Sequence, residues 1–62
     1  MSILQQKIMI EAMEPEMEKY IKIFPEDAFP RLLAQYIHAR FKCTKHVSKK
    51  VAQELIKNNK AL

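Results

Sequence analysis

The chain has 62 residues, a formal net charge of +4, one cysteine and no glycine. That length excludes more than one domain, and the lone cysteine excludes a disulfide framework. The missing glycine excludes Gly-rich phosphate loops, primed β-hairpin turns and Gly-capped helices.

The abundance of Ala, Leu, Lys, Glu, Gln and Met predicts an all-α fold. The expected architecture is a small bundle of three to four short helices around a central buried helix, in a single domain over residues 1–62. The charge divides it. Residues 1–31 carry four basic and six acidic side chains, whereas residues 32–62 carry seven basic and one acidic. Residues 1–24 therefore read as acidic N-terminal helices and 29–60 as a basic helix pair. No stretch approaches the ~20 apolar residues of a membrane span, and MSILQQKIMI lacks the basic start and apolar run of a signal peptide. A cytoplasmic protein that does not meet membranes is expected, in keeping with one thiol and several methionines.

The first predicted helix starts at Ile3 behind Ser2 as cap and projects apolar groups in most directions. Pro15 should break or sharply kink it at Glu14–Pro15, since an internal proline costs about 3 kcal/mol, whereas the first position of a new helix tolerates it. The next segment, PEMEKYIKIF, places Met17, Tyr20, Ile21 and Phe24 on one face. A continuous kinked helix is the alternative, because Ile3, Ile10, Met17 and Phe24 recur every seven residues. Phe24 to Pro30 reads as a connection, with Asp27 capping a short turn and Phe29 folding back on the core.

Pro30 begins the predicted central helix, whose polar stripe is Arg31, Gln35, His38 and Lys42. Leu32, Leu33, Ala34, Tyr36, Ile37, Ala39 and Phe41 cover the rest of its circumference, as in a buried helix. After Cys43, Thr44 or Ser48 should cap a last helix over about residues 46–59. A 62-residue chain leaves a small core of roughly 3–5 kcal/mol net stability and cannot enclose two helices that are apolar nearly all round. A homodimer or a protein partner is expected, with Ile3, Ile8, Met9, Ile10 and Met13 at the interface.

On a helical wheel Lys49, Lys50, Gln53, Lys57 and Lys60 share an arc of about 100°, opposite Val51 and Leu55. Lysines suit phosphates, and a glutamine can read an adenine edge. With Lys42 and Lys45 at the joint, the C-terminal half is expected to be helix-turn-helix-like, its last helix reading DNA or RNA. The expected function is a small dimeric nucleic-acid-binding regulator of transcription, replication or recombination. The alternative is an inhibitor or adaptor that grips a protein through its Met/Ile-rich N-terminal helices.

Arg40 must reach solvent or pair with a carboxylate such as Glu26, Asp27 or Glu54, because an isolated buried guanidinium is untenable. His38 is expected at the surface. With His46 and Cys43 it has neither zinc-finger spacing nor a fourth ligand. No catalytic residue, metal or cofactor is expected, and an unpaired cysteine reads as packing.

Overall fold

A computed structural model of the chain describes residues 3–60, and the side chains of 3–59. The described residues form four α-helices and two 3₁₀ turns, with no strand among them. In order these are α1 (Ile3–Met13), a 3₁₀ turn (Glu14–Glu16), α2 (Met17–Ile23), a second 3₁₀ turn (Glu26–Ala28), α3 (Phe29–Phe41) and α4 (Lys45–Lys60). None is long and apolar enough to cross a membrane. Ser2, the expected cap of α1, lies outside the described residues, as do Ala61 and Leu62.

Pro15 does interrupt the α-helix, but gently. It lies in the first 3₁₀ turn, near its start, and the flanking Met13 and Glu16 keep right-handed helical dihedrals. A tightened turn removes the clash with the preceding carbonyl without reversing the chain. The apolar stripe therefore runs on through the proline: Met9, Met13, Met17 and Tyr20 are all buried.

This burial corrects the expected interface. Met13 is fully buried and Met9 4% exposed within the chain's own core, so neither is open to a partner. Ile10 is half-buried against the core. Ile3 and Ile8 stay at the surface, 78% and 55% exposed, and Leu4 joins them at 67%. Leu4, Ile8 and Ala12 stand four residues apart and share the outer face of α1.

The second connection turns through a hydrogen bond from the Ala28 N–H to the Pro25 carbonyl, 3.2 Å, with no side-chain cap from Asp27. Phe29 folds onto the core, its ring 6.1 Å from that of Phe24.

The expectation that α3 is buried around the rest of its circumference holds only in part. It buries Leu33, Ala34 and Ile37, whereas Leu32, Tyr36 and Phe41 are half-buried and Ala39 is exposed. α4 buries more: Val47, Ser48, Val51, Ala52 and Leu55. The reason is contact on two sides. α4 packs extensively on α3 and also receives α1. The Asn58 amide donates to Glu14 Oε1 at 3.1 Å, tying its far end to the first 3₁₀ turn.

Arg40 finds a carboxylate, but Glu16, not Glu26, Asp27 or Glu54. Its Nη1 lies 2.7 Å from Glu16 Oε2 and 3.3 Å from Met13 Sδ. The guanidinium also stands over the Phe41 ring, 5.1 Å from its centroid. Glu16 Oε1 accepts from the Tyr20 hydroxyl at 3.0 Å, and the two tyrosine oxygens, Tyr20 and Tyr36, are 2.8 Å apart. The Tyr20 proton serves the carboxylate, so the Tyr36 hydroxyl donates to Tyr20. Arg40 foremost, then Tyr20, hold the Glu16 carboxyl below its usual value of 4.5. Burial, then the bonds to Tyr36 and Glu16, push the Tyr20 phenol up. This polar cluster bolts the first 3₁₀ turn and α2 to α3.

Between α3 and α4 stand Lys42, Cys43 and Thr44. Lys42 takes the left-handed conformation, φ 54° and ψ 35°, which usually falls to glycine. The His38 Nδ1–H donates to the Cys43 carbonyl, closing the helix end. Cys43 itself is buried, its Sγ 3.9 Å from the Ile37 carbonyl. Thr44, and not Ser48, caps α4: its Oγ1 accepts from the Val47 N–H at 3.2 Å. Ser48 Oγ donates to the Lys45 carbonyl at 2.8 Å.

Two outcomes are expected. Lys42→Gly should stabilise the fold by about 0.5–1 kcal/mol, since relief of a left-handed side chain outweighs the added freedom of the unfolded chain. Thermal melts should rise by roughly 4–8 °C for a chain this short. The Glu16 contribution should vanish in acid. A carboxyl depressed in the folded state stabilises above its unfolded value of 4.5 and loses that contribution as pH falls through the folded value. In urea titrations across pH, wild type should exceed Glu16→Gln near neutrality, and the gap should close in strong acid.

Candidate nucleic-acid interface

α3 and α4 meet along one seam, and their outer edges leave a cleft of about 710 Å³. Small side chains make the cleft: Ala34 from α3, with Ala52 and Ser48 from α4, lie where larger residues would fill it. The polar stripe of α3 forms one wall, as Arg31, Gln35 and His38. The basic arc of α4 forms the other, with Lys45, His46, Lys49 and Gln53. A second, smaller hollow lined by Pro30, Gln53, Ile56 and Lys57 lies beside it.

None of the seven Asp and Glu side chains lines either hollow. Two carboxylates are engaged elsewhere, Glu16 with Arg40 and Glu14 with Asn58. Glu54 is exposed on α4, half a turn or so from Lys49 on the wheel. The cleft is consequently a region of one charge sign, the condition under which a site attracts anions over a distance.

The expected nucleic-acid residues divide. Lys45, Lys49 and Gln53 line the cleft, and Lys57 lines its extension. Lys50 is exposed on α4 but lines neither hollow, and Lys42 is exposed at the left-handed joint. Lys60 belongs to α4, and its side chain lies outside the description. Arg31, a reserve candidate from the sequence, also lines the cleft, whereas sequence reasoning misses Gln35, His38 and His46 as members of the site. The signal for Gln35 and His38 is the polar stripe on α3, legible as a stripe but not as one wall of a cleft shared with α4, and His46 falls within the basic arc of α4.

His38 is better defined than an ordinary surface histidine. Its Nδ1–H is committed to the Cys43 carbonyl, which fixes the ring and leaves Nε2 as the nitrogen available to a ligand. Among the described residues no three His, Cys, Asp or Glu side chains gather as a metal site. Cys43 is buried against Ile37, which leaves its thiol in a packing position.

The arrangement can bind an anion with cationic side chains from two helices and can offer amides to a polar edge. No family model, curated protein or solved structure matches the chain.

Proposed function

We propose that the chain is a small nucleic-acid-binding protein, a regulator of transcription, replication or recombination that uses α3 and α4 as a helix-turn-helix-like unit. The observation that carries this reading is the convergence of Arg31, His38, Lys45, His46 and Lys49 on one cleft without a carboxylate among its lining residues. The connectivity supports it: a joint of three residues, Lys42–Thr44, precedes a helix whose first two turns hold Lys45, His46, Lys49 and Lys50. In helix-turn-helix proteins the start of the second helix meets the bases. The lysines would neutralise phosphates, and Gln53 would read a base edge.

A second reading, a helical inhibitor or adaptor, is favoured by the exposed apolar residues of α1. Ile3, Leu4 and Ile8 are more than half exposed, and Ile21 and Ile23 on α2 are likewise uncovered. The same surface would serve a dimer of the regulator. The two roles therefore share a partner-binding face on α1 and differ in what the basic cleft does.

Duplex DNA binding measured over a salt series tests the first reading. Each lysine that neutralises a phosphate contributes about 0.9 to the log–log slope, so Lys45→Ala with Lys49→Ala should flatten it by roughly 1.8 and weaken all sequences alike. Gln53→Ala should weaken only some sequences, with the slope unchanged. Absence of binding to DNA and RNA at low salt would transfer first place to the adaptor reading.

For the partner face the informative substitution is Ile8→Glu. Ile8 is 55% exposed, so the variant should keep its helical content while sedimentation shows a shift from dimer to monomer. Ile10→Glu should instead lower the melting temperature, because that side chain packs on the core. A wild-type chain that sediments as a monomer at tens of micromolar would sink the dimer.

A further inference from the structure

We propose that the α3–α4 cleft is a nucleotide subsite, which takes one phosphate among its cationic side chains and the polar edge of one base between Gln35 and Gln53. The inference rests on the reading of the basic surface above and makes it specific, since a convex helix face alone would need no cleft.

Three features point there. First, the cleft's size, about 710 Å³, falls within the range of small-molecule sites, roughly 300–1,000 Å³. That is room for a single nucleotide and far too little for a duplex. Second, its chemistry is mixed in the manner a nucleotide needs. Arg31 and His38 come from α3, and Lys45 and Lys49 from α4, so an anion can be approached from both walls. Pro30, Ala34 and Ala52 supply small apolar surface where a planar base can lie. A glutamine on each wall gives paired donors and acceptors, the amide chemistry that matches an adenine edge. Third, part of the site is preorganised. The His38 ring is held by its bond to the Cys43 carbonyl at the turn between the helices. That bond holds the ring's other nitrogen, Nε2, in one orientation for a ligand in the cleft.

The same chemistry is offered by a free mononucleotide and by a nucleotide within a strand, and the experiment separates them. Amide and imidazole NMR signals of the full chain would be followed during titration with inorganic phosphate, 5′-dAMP, deoxyadenosine and a duplex oligonucleotide. Phosphate and 5′-dAMP should move the His38 ring and the amides of Arg31 and Lys49, and 5′-dAMP should bind at least about threefold more tightly than phosphate. Deoxyadenosine, lacking the anion, should leave these signals in place. Arg31→Ala with Lys49→Ala should weaken 5′-dAMP about tenfold or more, with helicity retained because both residues are exposed. Gln35→Ala with Gln53→Ala should erase the preference for 5′-dAMP over phosphate. Lys22→Ala, on α2, should change nothing.

Mononucleotide binding in the cleft without duplex binding would uphold the subsite while removing the duplex-reading regulator. Duplex binding that leaves the His38 ring unmoved, with no response there to millimolar phosphate or 5′-dAMP, would overturn the subsite and keep the regulator. Shifts spread evenly over all lysines, unchanged by the double variants, would overturn the subsite as general charge attraction.

Discussion

The turn at Lys42 sets the direction in which α4 leaves α3, and the core and the cleft follow from it. A chain without glycine has no unstrained residue for a left-handed helix end. Here Lys42 accepts the strain, and the neighbouring groups hold it in place: His38 bonds the Cys43 carbonyl, Cys43 buries its side chain, and Thr44 caps the next helix. Once the two helices are laid along one another, Leu33 and Ile37 meet the apolar face of α4 on one side of the seam. On the other side the polar stripe of α3 meets the basic arc of α4. The same joint thus closes the core and opens the cleft.

The N-terminal half serves that pair as a cover. Its buried methionines, Met9, Met13 and Met17, succeed one another at intervals of four across a proline. Two properties make this workable. A 3₁₀ turn accommodates Pro15 while the chain keeps its helical sense, and unbranched methionine adapts its path to a surface that such a turn leaves slightly out of register. The cover is then fastened by polar groups at its far end, where Glu16 joins Arg40 and Tyr20, and Tyr20 joins Tyr36. An exposed ion pair adds little by itself. In this cluster the stacked Tyr20 and Phe24 rings, 5.6 Å apart, supply the apolar contact that the charges orient.

The charge asymmetry of the sequence acquires a spatial meaning in this arrangement. Carboxylates are concentrated in α1, α2 and the 3₁₀ turns, while the seam of α3 and α4 collects cations and amides. A proposed ligand-binding side and a proposed partner-binding side on the outer face of α1 are therefore built from different residues. Substitutions on one can be made without dismantling the other, which gives the functional proposals independent tests.

Some of this was legible in the residues alone. The helical class, the interruption at Pro15, the aromatic connection around Phe29 and the basic arc with Lys49, Gln53 and Lys57 all follow from local rules: proline geometry, propensity and the 3.6-residue period. What local rules leave open is which of several apolar faces turns inward. α1 shows Leu4 and Ile8 as readily as Met9 and Met13, and nothing in its own sequence ranks them. Likewise Arg40 has several carboxylates within plausible reach, and only the placement of the first 3₁₀ turn selects Glu16. The cleft is the clearest case. Arg31 and His38 are separated from Lys49 and Gln53 by a turn whose direction depends on a left-handed lysine that propensity would not choose. Tertiary packing decides it, because the contact of α3 with α4 is worth more than the strain of one backbone conformation.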